Sequence, residues 1–166
     1  MRKRKSPQWL ENLSQSCKVN VEISHLPQYY ETNFRIKFTY PTSIGEDFEA
    51  EIEVYSLYAK QYLLEEMQSL IRTIEDSTAY MDAPLDKMQS RLIWIAPFKR
   101  MAKKLEKKVA KEERLIFDVE TKYKSGKVVE ETYGTYATEE EMWEDYDTSH
   151  KAKCIEYSVI HDVNLE

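Results

Sequence analysis

Residues 48–76 read FEAEIEVYSLYAKQYLLEEMQSLIRTIED, and the apolar spacing changes once within them. Phe48, Ala50, Ile52 and Val54 alternate with Glu49, Glu51 and Glu53, the period of a half-buried strand. Beyond Ser56, Leu63, Leu64, Met67, Leu70, Ile71 and Ile74 recur at helical spacing. They predict a helix of roughly five turns running to about Asp76. The elements on either side decide how this strand and helix are used.

Upstream the chain is mostly strand. Ser6-Pro7 reads as a helix start, and Trp9, Leu10 and Leu13 give a short helix one apolar face. Val19, Val21 and Ile23 then alternate with polar residues, as do Phe34, Ile36, Phe38 and Tyr40. The loop from Pro41 to Asp47 contains Gly45 and joins two of these strands. Paired as a hairpin, they set Arg35 and Lys37 across from Glu49, Glu51 and Glu53. Each opposite-charge pair then contributes about 0.2–1 kcal/mol.

Downstream comes a helical block and then strand again. Residues 77–83 form a connection, and Pro84 opens a second helix with Leu85, Met88, Leu92 and Ile95 inward. Pro97 is expected to end or kink it, since proline lacks an N–H and clashes with the preceding turn. Phe98, Met101, Ala102, Leu105 and Val109 mark a third helical stretch. Leu115, Phe117 and Val119 return to alternation, Gly126 supplies a positive φ in the turn Lys124-Ser125-Gly126-Lys127, and Val128 to Tyr136 runs back. A last strand, Cys154 to Val163, places Ile155, Tyr157, Val159, His161 and Val163 on one face. Runs of strands broken by helices predict an α+β fold with antiparallel strands, three N-terminal and a hairpin plus a final strand C-terminal. The 166 residues suit a single domain, with sub-lobes 1–76 and 114–166 joined by the helical block 84–113. One mixed sheet or two small sheets satisfy the pattern equally.

Charge is unevenly spread. The net charge is −6, yet Arg2, Lys3, Arg4 and Lys5 carry +4 and residues 99–114 a net +5, so the rest sums to −15. Two basic patches on an acidic body are expected. Cys17 and Cys154 lie far apart, outside any CxxC, and read as reduced thiols. No run approaches the roughly 18 apolar residues of a membrane span. The expected location is cytoplasmic, in a bacterial or phage-infected host cell. There is no GxGxxG, P-loop or GxSxG, and His25, His150 and His161 stand in unrelated contexts. No catalytic residue, cofactor or metal is expected.

Residues 138–150, TEEEMWEDYDTSH, hold six carboxylates and no Lys or Arg. Asp145, Asp147, Ser149 and Glu156 fall at EF-hand spacing, but His150 replaces the required Gly, and Lys151 and Lys153 bring positive charge into the cage. A helix explains more. Thr138 caps it, Glu141 completes a capping box, and Glu139, Glu140 and Glu141 favour its N-terminal dipole. Met142, Trp143 and Tyr146 form the packed stripe, leaving Glu144, Asp145 and Asp147 unexplained. Gly134, Tyr136, Thr138, the glutamates and Tyr146-Asp147 also resemble the strand-to-helix step of AP2-type DNA-binding domains. No function is carried over from that likeness, because the hairpin here bears Asp118, Glu120, Glu130 and Glu131.

Two functional expectations follow. The first is a noncatalytic protein-binding module that docks an acidic, Tyr-bearing surface on a basic, nucleic-acid-handling protein. Its expected contact residues are Glu49, Glu51, Glu53, Trp143, Glu144, Asp145, Tyr146 and Asp147. Twelve tyrosines support such a surface. In composition it resembles phage or mobile-element inhibitors of bacterial defence nucleases, anti-CRISPR and antirestriction proteins among them. The second is a nucleic-acid-binding accessory protein using the N-terminal arm with Lys103, Lys104, Lys107, Lys108 and Lys111.

Overall fold

The computed structural model describes residues 6–26, 33–41, 47–79, 85–150 and 152–166, of which 79, 85–91 and 94 are described by backbone alone. Arg2, Lys3, Arg4, Lys5, Tyr29, Tyr30, Gly45, Pro84 and Lys151 lie outside them. The order is α1 (Gln8–Cys17), β1 (Asn20–His25), β2 (Phe34–Tyr40), β3 (Phe48–Val54), α2 (Lys60–Ala79), α3 (Leu85–Lys111), β4 (Leu115–Tyr123), β5 (Val128–Tyr136), α4 (Glu139–Ser149) and β6 (Ile155–Leu165). The fold is α+β, and the strands form two antiparallel sheets, β1-β2-β3 and β5-β4-β6.

The first sheet buries the apolar phase of its strands. Phe34, Ile36, Phe38, Phe48, Ala50, Ile52 and Val54 all face the core. Phe98 of α3 lies against them, its ring 5.1 Å from Phe38 and 5.7 Å from Phe48. Trp9, Leu10 and Leu13 of α1 and Leu63, Leu64, Met67 and Ile71 of α2 complete this core. On the opposite face the expected charge pairing is present. Arg35 Nη2 is 3.0 Å from Glu53, Arg35 Nε 3.9 Å from Glu51, and Lys37 3.6 Å from Glu49.

The helical block departs from expectation. α3 continues through Pro97 as one 27-residue helix, so the helix does not end there. Proline removes the bond to the carbonyl four residues back and crowds the preceding turn, a cost that burial of its neighbours can offset. Ile95, Phe98 and Met101 on either side of it are buried in the first core, while Leu92 is 44% exposed.

The second sheet has one covered and one open face. Phe117, Val119 and Thr121 point inward and meet Met142 and Tyr146 of α4. Gly126, at φ +92°, makes the β4–β5 turn as expected. The last strand corrects the predicted face. β6 pairs Ile160 with Val119 but Asp162 with Asp118, which leaves His161 as an extra residue, and Tyr157 with Lys122 but Ile155 with Tyr123, which leaves Glu156 as another. Such a bulge inverts the side-chain phase beyond it. Ser158 and Ile160 therefore share the covered face with Thr121 and Val119. Tyr157, Val159 and Val128 are exposed on the open one. There Glu120 lies directly across from Glu130, and Asp118 across from Asp162.

Lys60 joins the two cores. It is buried, with Nζ 2.6 Å from Glu141 of α4 and 3.2 Å from Glu112 beyond α3. It also sits 5.6 Å from the centre of the Trp9 ring. A buried ammonium needs such partners, because desolvation strongly disfavours an unpaired charge. No helix among the described residues is long and apolar enough to cross a membrane.

Candidate functional site

α4 begins as its residues dictate. The Thr138 hydroxyl accepts the Glu141 N–H at 3.2 Å, and Glu141 reaches back to the Ala137 N–H at 3.1 Å. The capping box is thus closed one residue earlier than the usual form, and the second Glu141 oxygen is free to bind Lys60. Because residues 139–149 are helical, no EF-hand loop forms there.

The inward stripe of α4 is Met142, Asp145 and Tyr146, so a carboxylate occupies a core position. This corrects the expectation that Asp145 and Tyr146 lie on a partner-facing surface, since they are 4% and 3% exposed. The signal was in the spacing: 142, 145, 146 and 149 fall at i, i+3, i+4 and i+7, one helix face. Trp143 is half-buried and packs edge-on against Tyr146, with its indole N–H donated to Glu139 at 3.1 Å. Glu144 and Asp147 are exposed, as expected. Glu49, Glu51 and Glu53 are exposed too, but they stand on the first sheet and face Arg35 and Lys37.

Around Asp145 the second half of the chain assembles a polar, aromatic cleft of about 620 Å³. Its lining comes from β5 (Glu131, Tyr133, Tyr136), from α4 and its end (Asp145, Ser149, His150), and from Tyr55 just after β3. The Tyr136 hydroxyl donates to Asp145 Oδ2, while Oδ1 is buried without a hydrogen-bond partner. Burial pushes the Asp145 carboxyl above the ordinary carboxylate range, and the Tyr136 and Ser56 hydroxyls partly offset it. The Tyr136 phenol is raised by burial and by the Asp145 charge, and the Tyr133 phenol by burial and by Glu131.

The other wall is held by a second network. Tyr133 donates to Glu131 Oε2 at 2.6 Å, and His150 Nε2 lies 3.4 Å from the same oxygen. The His150 ring stacks on Tyr146 at 3.9 Å with the planes 7° apart, and its Nδ1 is 2.9 Å from the Tyr146 carbonyl. The Tyr146 hydroxyl bridges Thr121 at 2.6 Å and Ser158 at 2.5 Å. Both His150 nitrogens are therefore engaged inside the fold, which suits a positioning role better than proton transfer to a substrate. Sequence reasoning missed Tyr55, Glu131, Tyr133, Tyr136 and His150 as one site, because three separate segments converge to make it.

Two further clusters complete the inventory. On the open face of the second sheet, Glu120, Glu130 and His161 bring ligand-type atoms within 4.8 Å of one another. Glu120 already accepts from Tyr157 at 2.8 Å and lies 3.2 Å from His161, contacts that hold its carboxyl below the ordinary range. On α3, Lys103, Lys104, Lys107 and Lys111 are exposed and Lys108 is half-buried. Lys104 reaches Ser16 of α1.

No protein-family model matches the chain, and the searches of curated proteins and of solved structures found no match either.

Proposed function

We propose that this chain is a noncatalytic protein-binding module that presents an acidic, tyrosine-rich surface to a basic, nucleic-acid-handling protein. The observation that carries the reading is the cleft between β5 and α4: among the described residues, four tyrosines and two carboxylates line it and no Lys or Arg does. Exposed Glu144 and Asp147 extend the negative surface along α4. Complementary charge of this kind speeds association and makes it salt-sensitive. A phage or mobile-element inhibitor acting in the cytoplasm of a bacterial host is the biological setting that the composition favours.

The test is capture from bacterial host lysate by the tagged chain, followed by mass spectrometry. Nucleic-acid-handling proteins should be enriched, released by raised salt, and lost when Glu144 and Asp147 are both changed to Lys. Capture that is indifferent to this charge reversal would overturn the reading.

The row of exposed lysines on α3 favours a second reading, direct nucleic-acid binding. Lys103, Lys107 and Lys111 recur every fourth residue and so form one ridge. A gel-shift series at increasing salt separates the two. Tight DNA or RNA binding with a steep negative salt dependence would favour the ridge over the acidic surface.

A further inference from the structure

We propose that the cleft between β5 and α4 is a receptor for one arginine side chain, supplied by the basic protein partner. The inference rests on the acidic-module reading above and names the contact at its centre. Two carboxylates line one cavity, and each has an oxygen without a hydrogen-bond partner among the described residues. Asp145 Oδ1 is buried and unbonded. Glu131 commits Oε2 to both Tyr133 and His150, which leaves Oε1 unclaimed.

The unmet need is for donors. A buried acceptor left unsatisfied is costly, and a charged donor satisfies it most strongly. Among the described residues the lining has no Lys or Arg, and its one basic residue, His150, is turned to Glu131 and to the Tyr146 carbonyl. An anionic ligand would meet two carboxylates there, so the complement is a cation.

Guanidinium fits better than ammonium for three reasons. Its forked N–H groups can serve two separated oxygens at once. It is weakly hydrated, so it gives up less on entering a site whose acceptor is buried. It stacks on aromatic faces, and Tyr55, 45% exposed and 4.4 Å from the Tyr62 ring, stands at the cleft with its phenol partly open to solvent. The cavity is within the usual range for ligand sites, roughly 300–1,000 Å³, and admits a long side chain with its flanking backbone.

The test uses the full chain and calorimetric titration with three short peptides. They are identical except for a central Arg, Lys or citrulline, the last being the neutral isostere of arginine. The Arg peptide should bind saturably and about tenfold more tightly than the citrulline peptide, the difference expected for one charge-assisted contact. Asp145→Asn and Glu131→Gln should each weaken the Arg peptide by about tenfold while the thermal midpoint stays the same or rises. Equal binding of Arg and citrulline peptides, no saturable binding of any, or unchanged affinity in both folded variants would overturn the proposal. Acetyl-arginine amide binding as tightly as the peptide would overturn the assignment to a partner's side chain and make the ligand a small free guanidine. Lysate capture that depends on Glu144 and Asp147 but is unaffected by Asp145→Asn would sink the cleft and spare the module. Arg-peptide binding without such capture would do the reverse.

Discussion

Lys60 of α2 holds Glu141 of α4 at 2.6 Å, and through that contact the core of the first sheet is tied to the core of the second. Lys60→Met keeps the length and apolar stem but leaves Glu141 and Glu112 without their cation. Breaking a buried pair on one side costs about 3 kcal/mol. Lys60→Met should therefore lower unfolding stability by that order in urea. Adding Glu141→Gln to it should restore part of the loss, a coupling that a double-mutant cycle measures directly.

Asp145 makes stability depend on acidity in a defined direction. Its folded carboxyl titrates above its unfolded value of about 3.9. Between those two values the folded chain holds the extra proton, so stability falls as pH rises from about 4 through the folded pKa, then levels. Asp145→Asn lacks this loss. The variant should be the more stable at pH 7, and its advantage should shrink as the buffer is taken toward pH 4, read as the difference in thermal midpoints. A constant difference across that range would argue that Asp145 is not titrating as its burial requires.

The tyrosines give the alkaline counterpart. Tyr133 and Tyr136 keep their protons in the fold well past the ordinary phenol range. Unfolded chains release them near pH 10, so stability should fall as pH rises above about 10. An ultraviolet titration should show a fraction of the twelve tyrosines ionising only as the protein unfolds. Tyr136→Phe should reduce that fraction. It should also lower neutral-pH stability by roughly 1–3 kcal/mol, because Asp145 then loses the hydroxyl that donates to its Oδ2.

Gly126 isolates a backbone effect. A methyl group there would meet nothing within 4 Å, yet φ is +92°. Gly126→Ala should cost about 1–2 kcal/mol through strain alone, without changing the packing of either core. The crossed charges on the first sheet are the contrast. Arg35→Gln removes contacts to Glu51 and Glu53 that remain largely in solvent, and should cost no more than about 1 kcal/mol, less at high salt.

Local patterns in the chain foretold the elements well, and the assembly less so. The switch of period at Ser56 marks the end of β3 and the approach to α2, and the alternation of Arg35 and Lys37 against three glutamates set which faces of β2 and β3 share the open side. These are nearest-neighbour properties. The passage of α3 through Pro97 was hidden, because burial of Ile95, Phe98 and Met101 outweighs one lost backbone bond. The face of β6 was misread at two extra residues, Glu156 and His161. Alternation cannot reveal such a bulge without the partner strand. Asp145 was misplaced because a carboxylate among Met142 and Tyr146 reads as wet until Tyr136 arrives from β5 to bond it. The division into two sheets depends on which strands meet, which no local period encodes.

The open face of the second sheet has one more consequence. Val128, Tyr157 and Val159 stand exposed there, and an uncovered apolar sheet face invites copies of a chain to stack. Among them sit Glu120 across from Glu130 and Asp118 across from Asp162, like charges set directly opposite. Within one molecule these pairs oppose folding slightly. Between molecules they act as gatekeepers, since two such faces approaching each other would bring carboxylate against carboxylate. The small internal repulsion guards colloidal solubility, and neutralising Glu130 and Asp162 together would leave a folded chain prone to aggregate.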